Sequence, residues 1–143
     1  MSVHQISVFL ENRAGQLAEI TGVLAKNAID LRAISIAETS DYGVLRMIVD
    51  DAEKATGVLL SNGYILSMTP VVVVAVPDAS GGLAPVLALL SEGNIDIEYM
   101  YSLFTHQEGK AYMVYRISDE EKFVALLKSH GITPVDADEL GIK

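Results

Sequence analysis

The spacing of apolar residues along this chain changes from a strand pattern to a helix pattern, and it does so twice. Residues 3–10 and 71–76 are rich in β-branched residues and each runs into a turn, which predicts two strands. After each turn, apolar residues recur every three or four positions and form one apolar stripe on a helix. These positions are Leu17, Ile20, Thr21, Leu24 and Ala28 in the first half and Leu83, Val86, Leu87 and Leu90 in the second.

The remaining elements also follow in the same order in both halves. Asn27 and Gly93 are predicted to end the first helices, because both residue types tolerate the left-handed conformation that closes a helix. Each half then continues with a strand, a glycine turn, a strand, a second helix and a final strand. The predicted strands are 30–38, 44–50, 96–104 and 111–117, the turns lie at Gly43 and Gly109, and the second helices are 52–62 and 119–129.

The two halves are copies of one unit. A shift of 66 positions places Gly81 on Gly15 and Ile95 on Ile29. Solenoid repeats have periods of roughly 20 to 50 residues, so this longer period predicts two small domains instead. The predicted domains are residues 1–69 and 70–143.

The order βαββαβ predicts an α+β fold of two ferredoxin-like repeats. In this fold an antiparallel four-stranded sheet carries both helices on one face. The second strand of each repeat is apolar on both faces, with Ile34 and Ile36 on one side and Ala33 on the other in the first repeat. Apolar surface of this kind seldom stays exposed on a monomer, so we expect the two halves to pair side by side and the chain to form a homodimer.

Composition excludes several classes of protein. The net charge of −9 argues against a nucleic-acid partner, because binding to phosphates requires clustered Lys and Arg. The most apolar run, 71–76, is too short to cross a membrane, and the first residues do not resemble an export signal, so the expected location is the cytoplasm. Half of the residues are hydrophobic and the mean hydropathy is +0.34, which predicts a packed core.

Neither catalytic nor metal chemistry is indicated by the polar residues. The chain has no cysteine, and its three histidines, His4, His106 and His130, lack the spacing of metal ligands. Asp50 and Asp51 stand before a predicted helix and are interpreted as capping residues. No catalytic residue, metal or cofactor is therefore predicted.

The turn before the first helix of each repeat resembles the signature of the ACT domain, Asn/Asp-x-x-Gly-x-Leu followed downstream by Gly-Ile-Asn-Ile. The first repeat has Asn12-Arg13-Ala14-Gly15-Gln16-Leu17, and the second has Asp78-Ala79-Ser80-Gly81-Gly82-Leu83. Ala14 and Ser80 stand where many members of the family have proline. The resemblance covers almost the whole chain and implies a tandem ACT protein without a catalytic domain.

ACT domains generally bind a small effector, often an amino acid, between two copies, which implies a ligand site at these turns. The N–H groups at the start of a helix favour a carboxylate, and a glycine allows the ligand to approach closely. The second strand of the facing copy, with its two tyrosines, would supply the opposite wall. The candidate ligand-binding residues are Glu11, Asn12, Arg13, Ala14, Gly15, Gln16, Leu17, Asp78, Gly81, Gly82, Leu83, Tyr99, Met100, Tyr101 and Ser102.

The predicted function is an amino-acid-binding regulatory protein that is not itself an enzyme and that acts on a partner enzyme. The tyrosines favour histidine, an aromatic or a branched-chain amino acid as the ligand. Two alternatives remain: a structural module without ligand, and an acylphosphatase-like hydrolase on the same topology. At the level of residues, Asn12 and Asp78 are also consistent with simple helix caps, Arg13 with a solvated charge, and Tyr99 and Tyr101 with core or interface positions.

Overall fold

This computed structural model describes residues 2–11, 13–38 and 42–143. Within them the helices and strands follow the predicted order. Contacts divide the chain into two units. The first unit contains His4–Thr69 and Gly141–Lys143, and the second contains Pro70–Leu140 together with the residues up to Val3. The elements are β1 (Val3–Glu11), α1 (Gln16–Lys26), β2 (Leu31–Glu38), β3 (Tyr42–Val49), α2 (Ala52–Ser61), β4 (Leu66–Pro77), α3 (Ala84–Glu92), β5 (Ile97–Ser102), β6 (Lys110–Ile117) and α4 (Glu120–Ser129).

The first unit is an antiparallel sheet with two helices packed on one face. Its strands lie in the order β2-β3-β1, followed by the amino-terminal part of β4. The register pairs Glu11 with Tyr42 and Ile6 with Met47, so the start of β3 lies beside the end of β1. Alternate residues of the strands join both helices in one core, which contains Ile6, Val8, Leu10, Ile20, Leu24, Ile29, Leu45, Met47, Val49, Ala52, Ala55 and Leu59.

The second unit repeats this arrangement with one difference. The strands lie in the order β4-β6-β5, and Val72 pairs with Tyr115 in an antiparallel register. The predicted final strand of this repeat is reduced to a single bridge between Val73 and Val135. The core contains Val72, Val74, Val76, Val86, Leu89, Leu90, Ile95, Tyr115, Ile117, Phe123 and Leu127. The predicted fold, α+β with two ferredoxin-like repeats, is confirmed.

The first helices end where predicted, with Asn27 and Gly93 as C-caps, but the left-handed conformation lies one residue further along the chain. Asn27 and Gly93 have φ of −100° and −80°, whereas the left-handed residues are Ala28 and Asn94, each with φ of 53°. A Cβ at Gly93 would lie 2.8 Å from a methyl group at the end of the Leu126 side chain, which can move aside. At Asn27 the side chain donates to the Val23 carbonyl oxygen at 2.8 Å. The two helices therefore end alike, with the left-handed residue directly after the C-cap.

The second helix of each repeat begins with an aspartate cap. Asp51 accepts a hydrogen bond from the backbone N–H of Lys54, and Asp119 accepts one from that of Lys122. The predicted capping role of Asp51 is confirmed, while the Asp50 carboxylate accepts from the Asp30 N–H. Among the described residues, no group of His, Cys, Asp or Glu is arranged to hold a metal ion. Over the same residues, no helix has both the length and the apolar character needed to cross a membrane.

Candidate functional site

The turn between β1 and α1 places the start of a helix next to open space. Gly15 is the N-cap of α1 and has φ of 84°, a conformation that favours glycine. The first hydrogen bond of the helix runs from the Glu19 N–H to the Gly15 carbonyl oxygen at 3.0 Å. The N–H groups of residues 16–18 precede it and have no acceptor within the helix. A Cβ added to Gly15 would meet no atom within 4 Å, so the turn is not covered at this point.

Gln16 joins this turn to the preceding strand. Its side-chain oxygen Oε1 accepts a hydrogen bond from the Glu11 N–H at 2.8 Å. The residue is only 6% exposed, although it lies at the first position of an exposed helix end. Because the Glu11 N–H requires an acceptor, the side-chain oxygen faces Glu11 and the NH₂ group faces away. Within the described part of the chain, this NH₂ group has no hydrogen-bond acceptor.

Arg13 carries the positive charge of the turn but is already paired. Its Nη1 lies 2.7 Å from Glu19 Oε2, and its Nε lies 3.6 Å from Glu11 Oε2. The hydrogen bond to Glu19 and the charge of that carboxylate raise the pKa of Arg13 above its usual value. These groups are exposed to solvent, so the pairing orients the guanidinium more than it stabilises the fold.

A cleft of about 190 Å³ opens beside the turn, within the first unit. It forms because β3 begins beside the end of β1, which brings the hairpin between β2 and β3 next to the start of α1. This volume is below the range of about 300 to 1,000 Å³ that is typical of complete ligand pockets. The residues that line it are Leu10, Glu11, Arg13, Gly15, Gln16, Leu17, Ile36, Glu38, Tyr42 and Gly43.

The cleft combines donors, acceptors and apolar surface. The helix start and the Gln16 NH₂ group are donors suited to a carboxylate. The exposed carboxylates of Glu11 and Glu38 can accept hydrogen bonds from an ammonium group. Tyr42 adds an aromatic wall, since its ring stacks on that of Phe9 with 5.0 Å between the ring centroids. This combination of groups is complementary to a free amino acid.

The equivalent turn in the second unit is built differently. Gly81 has φ of 78° and repeats the role of Gly15, but the next residue, Gly82, is packed against backbone. A Cβ at Gly82 would lie 2.0 Å from the Pro77 carbonyl oxygen. The Gly82 N–H donates to the Ala79 carbonyl oxygen at 3.0 Å, and the Asp78 N–H donates to that of Gly109 at 3.0 Å.

The interpretation of Asp78 as a helix cap was wrong. The N-cap of α3 is Leu83, which lies five residues further along the chain and makes no side-chain capping bond. The Val86 N–H bonds to the Leu83 carbonyl oxygen, so the helix starts with a tighter turn. Pro85 lies in this turn and has no N–H to offer. Asn12, the equivalent residue in the first repeat, lies outside the described residues.

The candidate residues on β5 divide between the two faces of the sheet. Met100 packs against the core of the second unit, whereas Tyr99 and Tyr101 lie on the opposite face and stack with 6.5 Å between ring centroids. Both tyrosines are half-buried, and Ser102 is exposed. The shared face of the tyrosines is as the strand period predicts. Their contact with a ligand remains a prediction.

The cleft includes residues that the sequence interpretation did not select. Of the predicted set, Glu11, Arg13, Gly15, Gln16 and Leu17 line it, while Ala14 is an exposed turn residue outside its lining. The additional residues come from the hairpin between β2 and β3. The strand order of the ferredoxin-like fold already places this hairpin beside the first turn, and that order was the available signal. The added residues are Leu10, Ile36, Glu38, Tyr42 and Gly43.

Comparison with known proteins agrees with the resemblance seen in the sequence. A family model described as an ACT domain pair matches residues 1–141. The chain is similar to a protein of known crystal structure from Bacteroides thetaiotaomicron, with 41% identity, a TM-score of 0.90, and coverage of 99% of this chain and 96% of that one. No curated protein is similar enough in sequence to be counted as a relative.

Two solved structures share the fold at low sequence identity. The ligand-free regulatory subunit of aspartate kinase from Thermus thermophilus is 15% identical, with a TM-score of 0.65 and coverage of 90% of this chain and 93% of that one. The corresponding subunit from Thermus flavus is also 15% identical over the same shares, with a TM-score of 0.60. The family model spans nearly the whole chain, both repeats have the fold, and the predicted resemblance is confirmed. The chain belongs to the ACT domain pair family.

Proposed function

We propose that this protein is a regulatory module that binds a free amino acid at one or both of its β–α turns and has no catalytic activity of its own. The observation that carries the proposal is the cleft beside the Gly15 turn, where helix N–H groups, the Gln16 amide and the carboxylates of Glu11 and Glu38 converge. Such a set can hold the carboxylate and the ammonium of one small molecule at the same time. Membership of the ACT family supports the same class of ligand.

The small volume of the cleft supports a site that a second surface completes. The first unit exposes several large apolar side chains close to the cleft, among them Ile36 at 48%, Phe9 at 43% and Tyr42 at 41%. Exposed groups of this kind mark association surfaces, which favours a homodimer. The tyrosines of β5 are proposed to contact the ligand, and histidine, an aromatic or a branched-chain amino acid remains the favoured ligand. A cytoplasmic location and a partner enzyme complete the proposal.

A thermal-shift screen against the protein-forming amino acids tests the ligand class. A ligand present at about 100 times its Kd stabilises the native state by about 2.7 kcal/mol, which raises the Tm by roughly 5–10 °C for a chain of this size. A screen in which no amino acid shifts the Tm would contradict the proposal and favour a structural module. Sedimentation at micromolar concentration tests whether the chain forms a homodimer. A monomer in this measurement would contradict that part of the proposal.

Paired glycine variants test the location. Gly15→Val adds a side chain at the cleft and should abolish the response of that turn, and Gly81→Val does the same for the second turn. Gly22→Val is the matched control, since Gly22 lies on the exposed side of α1 and a Cβ there meets no atom within 4 Å. Circular dichroism verifies that each variant is folded. Undiminished affinity in the double variant Gly15→Val/Gly81→Val would show that the turns are not the site.

A further inference from the structure

The two β–α turns differ in the number of hydrogen-bond donors that they offer. In the first unit, the N–H groups of residues 16–18 precede the first hydrogen bond of α1. In the second unit, the Val86 N–H already bonds to the Leu83 carbonyl oxygen, and Pro85 has no N–H. Ala84 is therefore the one helical residue of α3 that has an N–H ahead of the first hydrogen bond. The second helix start is therefore a weaker site for an anion.

The two repeats also differ at a pair of positions whose residues are joined by a hydrogen bond in the first repeat. Glu11 and Gln16 in the first repeat correspond to Pro77 and Gly82 in the second, by the repeat period of 66. The Glu11 N–H donates to the Gln16 side chain, whereas Pro77 has no N–H to donate and Gly82 has no side chain to accept. Both partners of this hydrogen bond are thus missing from the second repeat.

The Pro77 carbonyl group occupies the space of the missing side chain. A Cβ at Gly82 would lie 2.0 Å from the Pro77 oxygen, 3.0 Å from its carbonyl carbon and 3.2 Å from the Ala79 oxygen. These are backbone atoms, so they cannot yield as the end of a flexible side chain does. The Asp78 N–H is bonded to Gly109, which holds the turn against the following hairpin. The second turn is therefore held by backbone hydrogen bonds, and it has no space for a side chain at position 82.

Gln16 gives the first turn a donor that backbone alone does not supply. The residue is more than nine-tenths buried, its side-chain oxygen is fixed by the Glu11 N–H, and it is one of the residues that line the cleft. No acceptor for this NH₂ group is present among the described residues. The NH₂ group is not among the fully buried polar atoms that have no partner, so a ligand or a water molecule can reach it and accept its hydrogen bond.

We infer that the two repeats have divided their roles, so that each chain binds one amino acid, at the first turn only, with the Gln16 NH₂ group donating to the ligand carboxylate. The second repeat then has no ligand-binding turn of its own and serves the fold, the assembly and, through the tyrosines of β5, the wall of the site. This inference rests on the proposed function, and it determines the number of sites and the residue that recognises the carboxylate.

Backbone amide NMR resolves the two turns in one experiment. The chain has 11 glycines, and the amide signals of Gly15, Gly81 and Gly82 report on the two turns separately. The probe is a millimolar mixture of the protein-forming amino acids, followed by each amino acid alone. We expect the Gly15 signal to shift while those of Gly81 and Gly82 stay in place, and calorimetry with the responding amino acid to give one site per chain.

Gln16→Glu tests the donor without removing the acceptor. The variant keeps an oxygen for the Glu11 N–H and the length of the side chain, but it replaces the NH₂ group with a negatively charged oxygen. We expect the affinity to fall at least about tenfold, as for the loss of a hydrogen bond to a charged group. Ala18→Glu is the control, because it adds the same charge at an exposed position of α1 outside the lining of the cleft.

The possible outcomes separate the inference from the proposed function. A shift of Gly81 or Gly82, or two sites per chain, would overturn the inference and leave the function intact. If Gln16→Glu binds the amino acid with unchanged affinity, Gln16 does not donate to the ligand. If Ala18→Glu loses as much affinity as Gln16→Glu does, the loss is due to the added charge alone, and the role of Gln16 is refuted as well. If no glycine responds to any amino acid, the proposed function fails and the inference fails with it.

Discussion

Replacing Gly82 with alanine should destabilise the protein more than the same change at Gly81 or Gly22. The new Cβ would lie 2.0 Å from the Pro77 carbonyl oxygen, whereas carbon and oxygen atoms in contact are usually separated by about 3.3 Å or more. The carbonyl would have to move by more than about 1 Å. Pro77 pairs with Lys110 at the end of β4, so this movement disturbs the sheet.

The size of the effect follows from the bonds around the turn. The Gly82 N–H bond to Ala79 and the Asp78 N–H bond to Gly109 are both 3.0 Å long and both depend on the position of this turn. Losing one of them costs about 1 kcal/mol, and overpacking adds about 1–3 kcal/mol. We therefore expect the free energy of unfolding to fall by about 2–4 kcal/mol, which lowers the Tm by roughly 5–15 °C.

Two other glycines supply matched controls. Gly81→Ala places a side chain in open space at a positive φ, so its cost is the backbone strain of about 1–2 kcal/mol. Gly22→Ala lies in the exposed interior of α1 and should stabilise the protein by about 0.5–1 kcal/mol. From most to least stable, the expected order is Gly22→Ala, wild type, Gly81→Ala and Gly82→Ala.

Urea unfolding followed by circular dichroism measures this order from the midpoint at an unchanged m-value. A Gly82→Ala variant within about 0.5 kcal/mol of the wild type would refute the reasoning. It would mean that the second turn can open without loss, and the closure of that turn would then not explain why it should fail to bind a ligand.

Three further predictions concern single positions. Ala28→Gly should raise the free energy of unfolding by about 0.5–1 kcal/mol in urea, because Ala28 has φ of 53° and glycine adopts this conformation without strain; a loss of stability would contradict this. Burial raises the pKa of Tyr115 from 10.0 to about 12, and its hydroxyl group has no hydrogen-bond partner among the residues that the structure describes. The neutral Tyr115 side chain therefore contributes fully to the free energy of unfolding below pH 10, and this contribution is lost as the pH rises towards 12, by at most about 2.7 kcal/mol. Tyr115→Phe should flatten the dependence of the free energy of unfolding on pH in this range; an unchanged dependence would exclude Tyr115 as the cause. Replacing both Tyr99 and Tyr101 with alanine should alter the preference among amino acids in calorimetry and cost less than the 3–5 kcal/mol per ring of fully buried aromatic residues; a larger stability loss with an unchanged preference would make them core residues.

Much of the fold could be predicted because it depends on local spacing and on the repeat. The turns at Gly15 and Gly81 follow from glycines placed between a strand pattern and a helix pattern, and the apolar stripes define the faces of the helices. The place of the left-handed residue was missed by one position. The sequence favours Asn27 there, but the chain adopts this conformation at Ala28, and Asn27 instead bonds back to Val23.

The sequence by itself determined the duplication, the order of the elements, the family and the position of the two turns, since each of these is encoded in residues close together along the chain. The tertiary structure decided that the first turn has a cleft beside it and that the second turn has no room for a side chain at position 82. Tyr42 and Glu38 reach the first turn only because β3 lies beside β1, and Gly82 is confined because the Pro77 carbonyl faces it. The repeat spacing shows Gln16 and Gly82 as equivalent positions. Only the packing around them shows that Gln16 lines a cleft, whereas Gly82 lies in a turn that has no room for a side chain.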